Sequence, residues 1–274
     1  MNKVPDHTGQ TPPGALPDTP PPETVPFGAE DIPAAEKPAR VGAVFESVAA
    51  RYDLMNDLMS LGTHRVWKAS AVDWLMPRPG ERILDVAGGT GDMAMRMARR
   101  AGGTEAVVQA GGGVTVIDRS APMMTVGRGR VTEAGLGAAI GFAAGDGEAL
   151  PIAKGSTDAY VIAFGLRNIT HPDTALAEAY RVLKPGGRFL CLEFSRPRWP
   201  LLKPLFERYA REVLPRMGKV VANDAESYHY LAESIRRFAN QERLATMVEA
   251  AGFGQVRVRN LAGGIAAIHT GWRL

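Results

Sequence analysis

Residues 83–92, Ile-Leu-Asp-Val-Ala-Gly-Gly-Thr-Gly-Asp, constrain this chain more than any other stretch. The apolar run Ile83, Leu84 and Val86 carries the acid Asp85 and turns through Gly88, Gly89 and Gly91. It then enters the helix-like segment Met93 to Ala98. A buried strand, a tight loop and a helix start form the nucleotide-binding corner of an α/β sheet. Glycines suit the loop because a Cβ would hold a ligand away from its backbone.

The corner alone leaves the ligand open. Gly89, Gly91 and Ala94 also fit the dinucleotide fingerprint in its G-x-G-x-x-A form. Asp85 and Asp92 bracket the loop, and two carboxylates suit a pyrophosphate poorly. They suit a ligand with an ammonium and a sulfonium, S-adenosylmethionine. A second apolar run, Val114 to Ile117, ends on Asp118. A carboxylate at that strand tip can accept both ribose hydroxyls, or cap the helix after Pro122. After the β-like run 140–144 come Gly145, Asp146 and Gly147, where an acid can meet an adenine amino group and a glycine lets the ring lie flat. Residues 158–164 read as a fourth strand. Residues 175–184 read as an amphipathic helix stopped by Pro185, Gly186 and Gly187 and feeding a fifth.

This succession resembles a class I methyltransferase. More narrowly, the chain is similar to the UbiE-type ubiquinone/menaquinone biosynthesis C-methyltransferases over residues 41–274. The resemblance rests on Arg51-Tyr52-Asp53, Gly62 to Lys68, Phe164-Gly165-Leu166-Arg167-Asn168, Leu192 to Ser195 and Asn223-Asp224-Ala225. It implies a Rossmann-like α/β fold: a seven-stranded, mostly parallel sheet with one antiparallel strand and helices on both faces. The strands are expected near 82–87, 113–118, 139–144, 158–164, 187–194, 254–260 and 264–269. The last two have hairpin spacing, which makes one of them antiparallel. Residues 41–76 read as a helical cap before the first strand, and 196–238 as a helical insertion suited to a substrate lid.

The remaining stretches are expected to lie outside the core. Ten of the twenty prolines fall in residues 1–38, where two lysines face six acids for a charge of −4. So little apolar surface predicts a disordered tail. The glycine-rich stretch 102–113 reads as a surface excursion. The rest of the chain carries +7, enough to meet RNA or anionic headgroups. There is no appended RNA-binding domain and no Lys/Arg block, so no nucleic-acid partner is expected. No apolar run is long enough to cross a membrane. The single cysteine, Cys191, lies in a strand and implies a reducing, cytoplasmic setting. The five histidines have no metal-ligand spacing, so no metal is expected.

The resemblance also implies the reaction. S-adenosylmethionine is the cofactor, and the acceptor is a ring carbon of a polyprenylated benzoquinol or naphthoquinol, met at the membrane surface. The enzyme is then cytoplasmic or peripheral at the inner membrane, with a homodimer or other quinone-biosynthesis enzymes as candidate partners. The family's cofactor positions fall on Thr90, Asp118, Asp146 and Gly147, beside Asp85, Gly88, Gly89 and Gly91. Ala163 stands where family members often carry a serine, which removes one hydroxyl contact. Arg167, after the fourth strand, is expected to stabilise a phenolate, with a structural ion pair as its alternative. Asn223 and Asp224 are expected to position the ring hydroxyl, although Asp224 also suits a helix N-cap. His171 is read as a cap. His64 and Tyr52 belong to the cap helices over the pocket. A methyltransferase of other lipids or small molecules, and a non-catalytic S-adenosylmethionine sensor, are the competing readings.

Overall fold

The computed structural model describes residues 22–48, 56–57, 60–198, 208 and 225–274. Its centre is a seven-stranded sheet. The strands are β3 (Arg82–Val86), β4 (Gly113–Asp118), β5 (Ile140–Ala144), β6 (Thr157–Ala163), β7 (Leu183–Phe194), β8 (Gly254–Leu261) and β9 (Ala266–Trp272), in the order β5-β4-β3-β6-β7-β9-β8. Pairings are parallel from β5 through β7, and β9 is antiparallel to both β7 and β8. This is the expected sheet, with β9 as the single reversed strand.

Strand alternation divides the apolar residues between two cores. Ile83, Val114, Val116, Leu190 and Leu192 face one side. There they meet α2 (His64–Leu75) and α3 (Asp92–Arg100) through Trp67, Ala71, Met93 and Met97. Leu84, Val86, Ile117, Tyr160 and Phe189 face the other. They meet α6 (Pro172–Val182) and α8 (Gln241–Ala250) through Leu176, Ala179 and Val248. Cys191 is wholly buried in β7, and burial pushes its thiol pKa well up, so it packs as a small hydrophobe.

One expectation fails here. Residues 24–33, assigned to the disordered tail, form a hairpin: β1 (Thr24–Phe27) pairs with β2 (Glu30–Pro33). The cross-strand pair Val25 and Ile32 is buried, and Phe27 packs on Tyr230 at 4.6 Å between ring centroids. Arg237 fixes the turn by donating to the carbonyls of Gly28 and Glu30 and to Asp31. The hairpin builds no core of its own. It borrows one from α7 (Ala225–Arg237) and leads into α1 (Lys37–Val48). Residues 1–21 lie outside the described residues. The glycine-rich excursion also contains a short helix, α4 (Gly103–Gln109), anchored by buried Val107. The remaining helix, α5 (Ala121–Glu133), is N-capped by Ser120, whose hydroxyl accepts from the Met123 N–H. Of the proposed lid, 199–207 and 209–224 lie outside the described residues.

Candidate active site

Chain connections run to opposite sides of the sheet from β3 and β6, which opens a crevice at their carboxyl ends. A cavity of about 550 Å³ fills it. Its floor is the glycine loop after β3, the ends of β4 and β6, and residues 145–148. Its roof is α1, which presents Ala39, Gly42, Ala43 and Glu46. Small residues one turn apart give the roof a shallow face close to the floor.

Backbone strain gathers on the floor. Ala87 (φ 53°) and Phe164 (φ 56°) both adopt left-handed conformations at the ends of β3 and β6. Gly165 packs so closely on Ala87 that an added Cβ would lie 2.6 Å from the Ala87 Cβ. At Gly88 a Cβ would lie 2.7 Å from the Asp85 carboxyl carbon, and at Gly147 it would meet Ile169 at 2.8 Å. Bare backbone therefore forms these two walls.

The expected cofactor residues converge on this cavity: Asp85, Gly88, Gly89, Thr90, Asp118, Asp146, Gly147 and Ala163 all line it. Gly91 stands just behind, as the left-handed N-cap of α3. Asp118 Oδ2 accepts from the Gly89 N–H at 2.8 Å, and Oδ1 accepts from the Ser120 N–H at 2.8 Å. Both bonds oppose the upward push that burial gives its pKa. Fixed in this way, the carboxylate keeps lone pairs for a diol. Asp146 is held by Arg119 at 2.7 Å and by the Glu148 N–H. Thr90 is buried and accepts from Arg130. Asp85 is fully buried. Its Oδ2 accepts from the Ala94 N–H at 3.0 Å, while Oδ1 has no hydrogen-bond partner. Desolvation pushes its pKa up to about 7. An orphaned carboxylate oxygen calls for a cation, and Asp118 calls for a diol; the donor and acceptor set fits S-adenosylmethionine.

The catalytic expectations fare differently. Arg167 does not line the large cavity. It borders a second one of about 240 Å³, with Lys37, Tyr230 and Arg237. Its Nη1 donates to Glu193 Oε2 at 3.1 Å and to the Phe164 carbonyl at 2.5 Å, and the guanidinium lies over the Phe194 ring. Its side chain is 4% exposed and that of Glu193 1%. The buried ion pair, the alternative weighed from the sequence, is what the structure contains, and it clamps the strained Phe164 turn. Asn223, Asp224, Tyr52 and Asp53 lie outside the described residues. His64 is buried on α2 and bonded to Asp57 at 2.8 Å, with burial lowering its pKa. His171 occupies the N-cap position of α6 without a side-chain cap bond. Its Nδ1 meets Glu148 at 2.7 Å instead, which raises its pKa.

Sequence reasoning passed over several residues. Glu148 accepts from the Thr170 and His171 N–H groups and so ties two walls of the cavity together. Tyr230 donates to Asn168 at 3.0 Å, linking α7 to the floor. Lys37 is buried and donates to the Ile169 carbonyl at 2.9 Å; desolvation lowers its pKa to about 8. Lys68 lines the cavity and pairs with Asp92 at 2.9 Å. Lys68 alone left a local signal: a charged residue inside the apolar stripe of a helix.

The chain is similar to known proteins in sequence and in fold. The model of the ubiE/COQ5 methyltransferase family matches residues 34–273. A protein of Acidiphilium cryptum named Ubiquinone/menaquinone biosynthesis C-methyltransferase UbiE is 53% identical over 252 residues, covering 92% of this chain and 98% of that relative. Its namesake in Cereibacter sphaeroides is 49% identical over 251 residues, covering 92% and 97%. Among solved structures, a SAM-dependent methyltransferase of Aquifex aeolicus superposes with a TM-score of 0.53 at 18% identity, over 76% of this chain and 89% of that one. A possible histamine N-methyltransferase of Thermotoga maritima gives 0.56 at 19% identity, over 85% and 100%. The structural matches bear on the fold alone.

Proposed function

Since the chain belongs to the ubiE/COQ5 methyltransferase family, we propose that its cleft places a methyl group on a ring carbon of a prenylated quinol. The chain is an S-adenosylmethionine-dependent C-methyltransferase of ubiquinone/menaquinone biosynthesis. The observation that carries the reading is the cavity floor, where fixed Asp118 and Asp85, whose Oδ1 alone lacks a partner, lie beside bare glycine backbone.

The cofactor supplies an electrophilic methyl group; the protein's residues do the rest. Asp118 would hold the ribose diol and Asp146 the adenine edge, while Gly147 leaves room for the flat ring. A ring carbon becomes nucleophilic when a neighbouring hydroxyl gives up its proton, so the acceptor side needs a polar group to orient that hydroxyl and receive the proton. Asn223 and Asp224 are assigned to that task. Arg167 is assigned a positioning role: through the Phe164 carbonyl it sets the shape of the floor. The α1 roof, which lines the cavity, would help to keep water from the reacting groups.

The acceptor's prenyl chain belongs in a bilayer. Leu61 and Val66, 72% and 65% exposed at the start of α2, support contact with a membrane surface. Among the described residues, no helix is long and apolar enough to cross a membrane. Quinones extracted from cells lacking the protein test the reading. They should lack one ring methyl, and a normal quinone profile would contradict it.

A further inference from the structure

The second cavity, of about 240 Å³, lies behind a partition made of residues 167–170. Asn168 and Ile169 line the cofactor cavity, Arg167 lines the second one, and Thr170 lines both. The other walls come from distant parts of the chain: the hairpin turn at Gly28, Lys37 at the start of α1, the first turn of α6, the end of α7 and Arg243 on α8.

Cations gather here. Lys37, Arg167, Arg237 and Arg243 line the cavity, against one acid, Asp173, which is exposed in the first turn of α6. Glu193 answers Arg167, and Asp31 answers Arg237. Among the described residues, Lys37 and Arg243 form no ion pair. Lys37 Nζ is buried and donates to the Ile169 carbonyl, which leaves it N–H groups to spare. The exposed Arg243 guanidinium donates to no described residue; the recorded bond of Arg243 runs from its backbone N–H to Asn240.

Two further observations point to a ligand. The side-chain bonds of Arg167 all leave from Nη1, and its Nε is buried with no hydrogen-bond partner. A buried, unpaired N–H of a guanidinium is costly and calls for an acceptor. The first turn of α6 brings the positive end of an eleven-residue helix to the same cavity, and its N-cap, His171, makes no side-chain cap bond. Pro26, Phe238 and Met247 supply an apolar wall beside these donors.

We propose that this cavity binds a phosphate group between Lys37, Arg237, Arg243 and Arg167 Nε, with a short stem of the ligand against the apolar wall. The four donors come from four different elements. A phosphate offers acceptor oxygens in several directions at once, whereas the two oxygens of a carboxylate share one plane. Soluble phosphate esters and phospholipid headgroups both carry that chemistry.

Calorimetric titration of the full chain tests it, with S-adenosylhomocysteine at saturation so that the cofactor cavity is filled. The probes are inorganic phosphate, glycerol 3-phosphate, and phosphatidylcholine vesicles with or without phosphatidic acid, all at matched ionic strength. At least one phosphate probe should bind saturably. Arg243→Ala should weaken that binding by about fivefold or more, and Arg243→Glu should abolish it. Both variants keep the backbone bond to Asn240, so both should fold. Arg99→Ala is the control: it removes the same charge from α3, outside both cavities, and should leave affinity within about twofold. Binding of the soluble probes assigns the site to a free phosphate ester; binding confined to phosphatidic-acid vesicles assigns it to a headgroup. No saturable binding of any phosphate probe overturns the proposal. Equal weakening by Arg99→Ala and Arg243→Ala, which would report net charge alone, also overturns it, as does binding indifferent to both Arg243 variants.

Discussion

Replacing Arg167 with alanine should destabilise the protein before it alters any chemistry. The guanidinium is the countercharge of Glu193, and both side chains are almost wholly buried. After Arg167→Ala, Glu193 keeps, among the described residues, only the backbone N–H groups of residue 167, at 3.2 Å, and Phe194, at 3.1 Å. Breaking one side of such a buried pair costs about 3–5 kcal/mol. For a chain of this length each kcal/mol lowers the melting temperature by about 2–4 °C, so a drop of ~6–20 °C is expected. The Phe164 turn also loses its clamp, so S-adenosylhomocysteine affinity should fall with stability. The control is the double variant Arg167→Met with Glu193→Gln, which removes the orphaned charge and should recover about half of the loss or more. Thermal denaturation and calorimetric titration of the three chains give the answer. An Arg167→Ala protein with wild-type stability and cofactor affinity, but a rate lowered by a hundredfold, would refute this reasoning. It would return Arg167 to the role of a free cation facing a phenolate.

Asp118→Ala should weaken S-adenosylhomocysteine binding by about 1.5–3 kcal/mol in a calorimetric titration, since charged hydrogen bonds are lost; unchanged affinity would place Asp118 outside the site. Truncation at residue 21 should leave the melting temperature unaltered. Truncation at residue 36 should lower it and loosen cofactor binding, because the Val25–Ile32 pair and the Arg237–Asp31 bridge hold the hairpin that leads into the roof. Asp85, with its pKa pushed up to about 7, keeps a proton that the unfolded chain loses near pH 4. The empty protein should therefore lose stability as pH climbs from about 4 to 7. Affinity for the cationic cofactor should rise over the upper part of that range, and Asp85→Asn should flatten both profiles. Leu61→Ser with Val66→Ser should reduce co-sedimentation with anionic vesicles while leaving S-adenosylhomocysteine binding alone; undiminished co-sedimentation would place membrane contact elsewhere.

Much of this architecture is written locally in the chain. Runs such as Ile83 to Val86 and Val114 to Ile117 are buried on both faces of a sheet, so they read as apolar strings whatever surrounds them. The acids at their tips and the glycines beyond mark the carboxyl-end crevice in the same local way. What stayed hidden depends on distant partners. Arg167 and Glu193 stand 26 residues apart, and nothing near either one announces the pair. The hairpin at 24–33 was lost inside a proline-rich average. Its few apolar residues gain their worth only against Tyr230, on a helix some two hundred positions away in the chain. His171 looked like a cap because of Pro172, yet it bonds Glu148 from the other wall of the cavity.

The central claim is methyl transfer to carbon at the crevice between β3 and β6. The most direct measurement supplies the purified full chain with methyl-labelled S-adenosylmethionine and vesicles containing either a polyprenylated methoxybenzoquinol or a demethylnaphthoquinol. Products are then read by mass and by the carbon resonance of the label. The account predicts that the label arrives on a ring carbon of the quinol and that Asp118→Ala strongly reduces its arrival. Label on an oxygen, or no transfer by a chain that binds the cofactor normally, would contradict it.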